Sequence, residues 1–173
     1  MTPKRLPPFW VLVLCFFLLH GSLSAGLTAA LRLPWTMPLP PPVGLGAGIP
    51  LLVLGFGLYG WSVKSLSLRR VMGKELFKSA AESTLVTGGA FAHSRNPIYF
   101  SLGFLFLGWF LVTRFTPLGI MTVLALVHFV LVAKWEEKEL AARFEQAYAD
   151  YKARVPFFIP SLRRKWLPVA GRR

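Results

Sequence analysis

The chain has 173 residues, 54% of them hydrophobic, and a mean hydropathy of +0.54. This is too apolar for a soluble domain of that length. Lys and Arg outnumber Asp and Glu by 20 to 7, yet most of the cations flank apolar stretches, where membrane topology and anionic lipid account for them better than nucleic acid does. The single cysteine, Cys15, leaves neither a disulfide framework nor a thiolate metal site, and no metal is expected.

Four stretches lack Asp, Glu, Lys and Arg: Arg5 to Arg32, Arg32 to Lys64, Arg95 to Arg114 and Arg114 to Lys134. Crossing the hydrocarbon takes roughly 20 apolar residues at about 1.5 Å each. The fold class is therefore all-α, a polytopic membrane protein of about four transmembrane helices, in which the last two form a C-terminal helical hairpin. Span one is expected at Pro8 to Ala30. Residues 1–25 also have the outline of a signal peptide, with Lys4 and Arg5 before an apolar core and Ser22-Leu23-Ser24-Ala25 as small residues for cleavage. The uncharged run continues to Leu31, which favours a retained helix.

Pro34 to Pro42 is a proline-rich connector that runs extended. Span two follows at about Val43 to Val63, where Gly44, Gly46, Gly48, Gly55, Gly57 and Gly60 offer small surfaces for a neighbouring helix. The Gly44-Leu45-Gly46-Ala47-Gly48 string follows prolines rather than a strand, so it reads as packing and not as a dinucleotide loop. Residues 1–63 thus form an N-terminal pair of helices, and 64–173 a second unit made of a polar loop, the hairpin and the tail.

The loop from Lys64 to Arg95 carries six Lys or Arg against Glu75 and Glu82, which makes it cytoplasmic by the positive-inside rule. Spans three and four, about Pro97 to Val112 and Thr116 to Ala133, are joined by Thr113-Arg114-Phe115, a tight turn. Both termini are then expected on the cytoplasmic side. Beyond Ala133, Leu140, Phe144, Tyr148 and Tyr151 keep helical spacing, so span four should continue as an amphipathic cytoplasmic helix until Pro156. Glu139 with Arg143 and Asp150 with Arg154 are i,i+4 pairs on that helix, and Arg163-Arg164-Lys165 reads as a lipid-facing anchor.

Two clusters carry chemistry. The first is Ser83-Thr84-Leu85-Val86-Thr87-Gly88-Gly89-Ala90-Phe91 followed by Arg95-Asn96-Pro97-Ile98-Tyr99. Asn96 suits an N-cap and Pro97 the first helical position, so span three should open at the membrane surface with free N–H groups that favour an anion. The glycine pair permits close backbone approach to a ligand, and Phe91 and Tyr99 offer flat faces for a purine. The second cluster is Lys134-Trp135-Glu136-Glu137-Lys138-Glu139, where carboxylates lie close to hydrocarbon. The short hairpin returns it to the membrane face of the first cluster, where a carboxylate would complement an ammonium, ribose hydroxyls or a sulfonium. His93 is near this site, whereas His20 and His128 lie inside spans and read as packed core residues.

The ordered set of Thr-Leu-Val-Thr-x-Gly, Arg-Asn-Pro-x-Tyr, Glu136-Glu137 and Phe144-x3-Tyr148-x2-Tyr151-x2-Arg154-Val155-Pro156, with Pro160, resembles the isoprenylcysteine carboxyl methyltransferases and the related membrane phospholipid methyltransferases, over about Ser83 to Pro160. The resemblance implies that S-adenosylmethionine is held by Ser83, Thr84, Leu85, Val86, Phe91, Asn96, Pro97, Ile98 and Tyr99, with Glu136 or Glu137 as its carboxylate partner. It makes Glu136 and Asn96 the candidate catalytic residues. It further implies methyl transfer to a lipophilic acceptor entering from the bilayer, such as an isoprenylcysteine-type carboxylate or a lipid head group. Members of that family often carry His where this chain has Asn96 and Tyr where it has Phe91. Two other readings stand beside it, a non-catalytic protein binding lipid or a partner and an NADPH enzyme like the sterol reductases, for whose extra spans the chain leaves little room.

Overall fold

The computed structural model of the protein describes residues 9–66 and 84–159. Ser83, Pro160 and the basic triplet Arg163-Arg164-Lys165 lie outside the described residues, as does most of the Lys64 to Arg95 loop. Within them the chain is helical: α1 (Phe9–Ala30), α2 (Pro41–Leu66), a single 3-10 turn (Gly89–Ala92), α3 (Pro97–Thr113) and α4 (Thr116–Arg154). Three of these helices, α1, α2 and α4, are long and apolar enough to cross a membrane, and α3 is a shorter apolar helix.

The 17 residues of α3 reach only about 26 Å, just short of the hydrocarbon thickness, whereas the 39 residues of α4 reach about 58 Å. The second half of α4 must therefore stand outside the membrane, as its Leu140, Phe144, Tyr148, Tyr151 spacing predicts. It is not one straight rod: Glu145 sits at φ 43, ψ −117 and breaks the helix. Past that break Tyr148, Tyr151 and Val155 form a small buried core with Leu85, Leu140 and Phe144. Val155 adopts the extended conformation that a following proline imposes, and the helix stops. The expected Asp150–Arg154 side-chain pair is replaced by other contacts, since Arg154 Nε donates to the Asp150 main-chain carbonyl and the Asp150 carboxylate accepts from Gln146.

Proline sets the boundaries on the opposite face. Pro41 and Pro42 open α2, where a missing N–H costs nothing. The preceding connector is non-helical up to Pro40 and straps the hairpin: the Met37 N–H donates to the Arg114 carbonyl at 2.7 Å, the Thr116 N–H to the Trp35 carbonyl at 3.0 Å, and the Arg114 guanidinium to the Leu39 carbonyl at 3.2 Å. Helix α2 then packs along α3 through part of its glycine set. A Cβ on Gly48 would stand 2.7 Å from Val112 Cγ2 and 2.8 Å from the Gly108 carbonyl oxygen, and one on Gly55 would stand 2.7 Å from Leu105 Cδ2. Gly46, Gly57 and Gly60 face open space instead, so the predicted small surface is used on one side of α2 only.

Candidate active site

The hairpin returns α4 to the start of α3, and there the two expected clusters meet in direct contact. The Tyr99 hydroxyl donates to Glu136 Oε1 at 2.8 Å, and Arg95 Nε donates to Glu137 Oε1 at 2.6 Å. The adjacent glutamates are thus held differently. Glu137 is buried with Arg95, their side chains 11% and 10% exposed, while among the described residues no cation pairs with Glu136. Burial holds the Glu136 carboxyl above the ordinary carboxylate range, against the Tyr99 hydrogen bond, which lowers it.

Arg95 is the hub, a role that sequence reasoning did not give it. Besides Glu137, its Nη1 donates to the carbonyl of Lys152 in the last turn of α4 at 3.0 Å and to that of Val155, just past the helix, at 2.7 Å. A guanidinium fork matches such a set where an ammonium would not. Asn96 occupies the N-cap position of α3 but makes no cap hydrogen bond. Its buried amide Nδ2 donates to the Phe157 carbonyl at 3.2 Å, as does Ser94 Oγ at 3.3 Å. The N–H groups of Ile98 and Tyr99 in the first turn are consequently left uncapped by Asn96. Tyr151 closes the same clasp by donating from its hydroxyl to the Phe91 carbonyl at 2.7 Å. Burial pushes the phenols of Tyr148 and Tyr151 well above the usual range. The Tyr148 hydroxyl lies against the Arg95–Glu137 pair without reaching hydrogen-bonding geometry.

The two glycines of the pair stand in different surroundings. Gly89 has φ +60, and any Cβ there would collide with the Ser65 hydroxyl; the Ala90 N–H donates to that same oxygen at 3.2 Å. Gly89 therefore lets the turn dock on α2, while Gly88 faces open space and leaves backbone room for a ligand. Thr84, Leu85 and Val86 approach this turn outside any helix or strand, with Leu85 packed against Tyr151 and Tyr148. His93 is 5.5 Å from Trp61, centroid to centroid.

Beside the Tyr99–Glu136 pair a cleft of about 270 Å³ opens between α3 and α4, lined by Tyr99, Phe100, Gly103, Phe104, Leu107, Leu126, Phe129, Val130 and Phe158. Its walls are almost wholly apolar, and Phe129 stacks on Tyr99 at 5.6 Å. The polar pair thus stands at the end of this apolar groove nearest the start of α3.

The profile of the phospholipid methyltransferase family matches residues 43–147, more than half of the chain. The protein belongs to the phospholipid methyltransferase family. The matched segment begins in α2, so it takes in a helix in which no chemical motif is legible, and it excludes α1. Among curated relatives of this family member, methanethiol S-methyltransferase 2 of Bradyrhizobium diazoefficiens is 31% identical over 139 residues, covering 72% of this chain and 52% of that protein. Methanethiol S-methyltransferase of Crocosphaera subtropica is 37% identical over 86 residues, covering 46% of this chain and 30% of that protein. The chain spans about half the length of the first and less of the second. No solved structure matches it.

Proposed function

We propose that the protein transfers a methyl group from S-adenosylmethionine to a lipophilic acceptor held in the membrane, with both termini and the α4 extension on the cytoplasmic side. The observation that carries this reading is the Tyr99–Glu136 pair, a half-buried carboxylate with no cation partner among the described residues, at the end of an apolar groove nearest the start of α3. When bound, S-adenosylmethionine supplies an electrophilic methyl group on a sulfonium. The residues present fit it: Glu136 is the acid that a cationic or hydroxyl-rich ligand would complement, and Tyr99 holds that acid in one orientation. The uncapped N–H groups opening α3 suit the ligand's carboxylate, and Gly88, with Thr84 to Val86 and Phe91 beside it, gives room for the rest.

Glu137 and Asn96 serve by position, since both are spent on holding the clasp over the site, and Glu136 is the glutamate left to touch the ligand. The acceptor's apolar body occupies the groove between α3 and α4, which sets its nucleophilic atom beside Tyr99 and excludes water from the transfer. S-adenosylmethionine held there would supply the methyl group to that atom's lone pair and would leave as a neutral thioether. A thiolate or carboxylate acceptor needs no protein base for this. The names of the two relatives favour a thiol as the second reading of the acceptor, beside the carboxylate or lipid head group.

The test is calorimetric titration of the purified full chain in lipid nanodiscs with S-adenosylmethionine and, separately, with NADPH. Saturable binding of the first, weakened in Glu136→Gln and Tyr99→Phe while thermal stability is kept, is the expected result. Binding of NADPH alone transfers the case to the reductase reading, and binding of neither leaves a non-catalytic protein.

A further inference from the structure

Helix α1 brings His20 against His128 of α4, with ring centroids 5.0 Å apart and planes at 88°. His20 lies half-way along α1 and His128 well inside the charge-free part of α4. About 15 Å of helix separates His20 from either end of α1, so at this depth there is no bulk water to satisfy a ring nitrogen. His20 is only 7% exposed. Its Nδ1 lies 2.9 Å from the Phe16 carbonyl. A carbonyl only accepts, so Nδ1 carries the proton and a neutral His20 presents Nε2 as a lone pair.

Among the described residues Nε2 of His20 and both nitrogens of His128 make no hydrogen bond. Leaving such groups unsatisfied in hydrocarbon costs several kcal/mol each. Both rings line a cleft of about 270 Å³ whose other walls are Leu19, Leu23, Leu124, Val127 and Leu131. Four of these leucines and valines, Leu19, Leu23, Val127 and Leu131, are exposed on the lipid side, so the cleft is open to the bilayer. It lies on the α1 face of α4, apart from the groove beside Tyr99, and α1 is outside the segment that the family profile matches.

We propose that the His20–His128 pair is an intramembrane binding site for an amphiphile bearing a single hydroxyl group. The polar complement selects that class. A hydroxyl donates to His20 Nε2 and accepts from the protonated nitrogen of His128, which gives a partner to one open nitrogen on each ring at once. A ketone or ester carbonyl has no proton for His20 Nε2, and a protonated amine would bring an unpaired charge to mid-bilayer. A metal ion would find two imidazoles and, among the described residues, no group of three or more His, Cys, Asp or Glu. The leucine walls take the hydrocarbon body. This inference does not rest on the methyl-transfer reading.

The experiment uses the full chain in nanodiscs with 15N-labelled histidine. The chain has three histidines, and His93, at the membrane surface, is the internal control. Titration with 1-dodecanol is expected to shift the His20 and His128 ring resonances saturably and leave His93 unmoved, whereas dodecane and 2-dodecanone should give no saturable shift. His128→Phe is expected to weaken dodecanol binding at His20 by about tenfold. Equal responses to alcohol, ketone and alkane, or none to the alcohol, overturn the proposal. So does a stoichiometric metal whose removal by chelator moves both rings. Should His128→Phe unfold the protein, the wild-type comparison of the three probes decides alone.

Discussion

Neutralising Glu137 should destabilise the clasp between the start of α3 and the end of α4, whereas neutralising its neighbour Glu136 should not. Arg95 and Glu137 are a buried pair, 10% and 11% exposed at 2.6 Å. Removing one member of such a pair leaves an uncompensated buried charge, at a cost of about 3–5 kcal/mol. Arg95 would keep the carbonyls of Lys152 and Val155, which places Glu137→Gln at the lower end, about 3 kcal/mol. On the soluble-protein scale for this size that is a fall of about 6–12 °C in Tm. Glu136→Gln keeps an oxygen to accept from Tyr99 and strands no cation, so its change should stay under about 1 kcal/mol. Thermal unfolding of both variants in the same nanodiscs, followed by near-ultraviolet circular dichroism, checks the contrast. Equal destabilisation of the two variants, or an unmoved Glu137→Gln, would refute the division of labour between them.

The Tyr148 hydroxyl is buried without a hydrogen-bond partner among the described residues, so Tyr148→Phe should be neutral or slightly stabilising at pH 7 by thermal melting. Tyr148 and Tyr151 have phenols raised above their ordinary value of 10.0. The folded state therefore keeps these protons where the unfolded chain loses them, and the contribution of the two phenols to stability should be constant below pH 10 and be lost as pH rises beyond it; Tyr148→Phe should shallow that decline. Gly48→Ala should cost about 1–3 kcal/mol through its clash with Val112 and the Gly108 carbonyl, while Gly46→Ala, with open space around it, should be neutral or gain about 0.5–1 kcal/mol. Gly103→Leu should fill the groove, since even a Cβ there meets Leu126 Cδ2 at 3.0 Å. It should raise the KM for an acceptor with an apolar body by about tenfold and leave S-adenosylmethionine binding unchanged.

Local patterns that depend on a single helix were legible in the sequence. The charge-free stretches, Pro97 opening α3, and the Leu140, Phe144, Tyr148, Tyr151 stripe each report a property of their own segment, and the helices fall close to the expected bounds, although α2 takes in Pro41 and Pro42, which the sequence assigns to the connector. The short Thr113-Arg114-Phe115 turn also forced the two polar clusters to one face, so the meeting of Tyr99 with Glu136 followed from chain length alone. What stayed hidden needed partners distant in the chain. Nothing in the order of residues says that Asn96 is drawn from its cap position to Phe157, or that Arg95 spans Glu137 and the end of α4. Equally, His20 and His128 each look like isolated core residues until α1 is laid against α4. The break at Glu145 had no glycine or proline to announce it; the packing of Tyr148 and Tyr151 back onto Leu85 and Phe91 accompanies it.

The most direct measurement is methyl transfer itself: the full chain in native-like membranes is supplied with S-adenosylmethionine labelled in the methyl group, and label is counted in the organic extract of lipids and added thiols. Label should enter an extractable product with the wild-type chain, and fall at least tenfold, to about 10% or less, in Glu136→Gln at unchanged protein level. Incorporation no greater than that of heat-inactivated membranes, or equal in wild type and Glu136→Gln, would contradict the account.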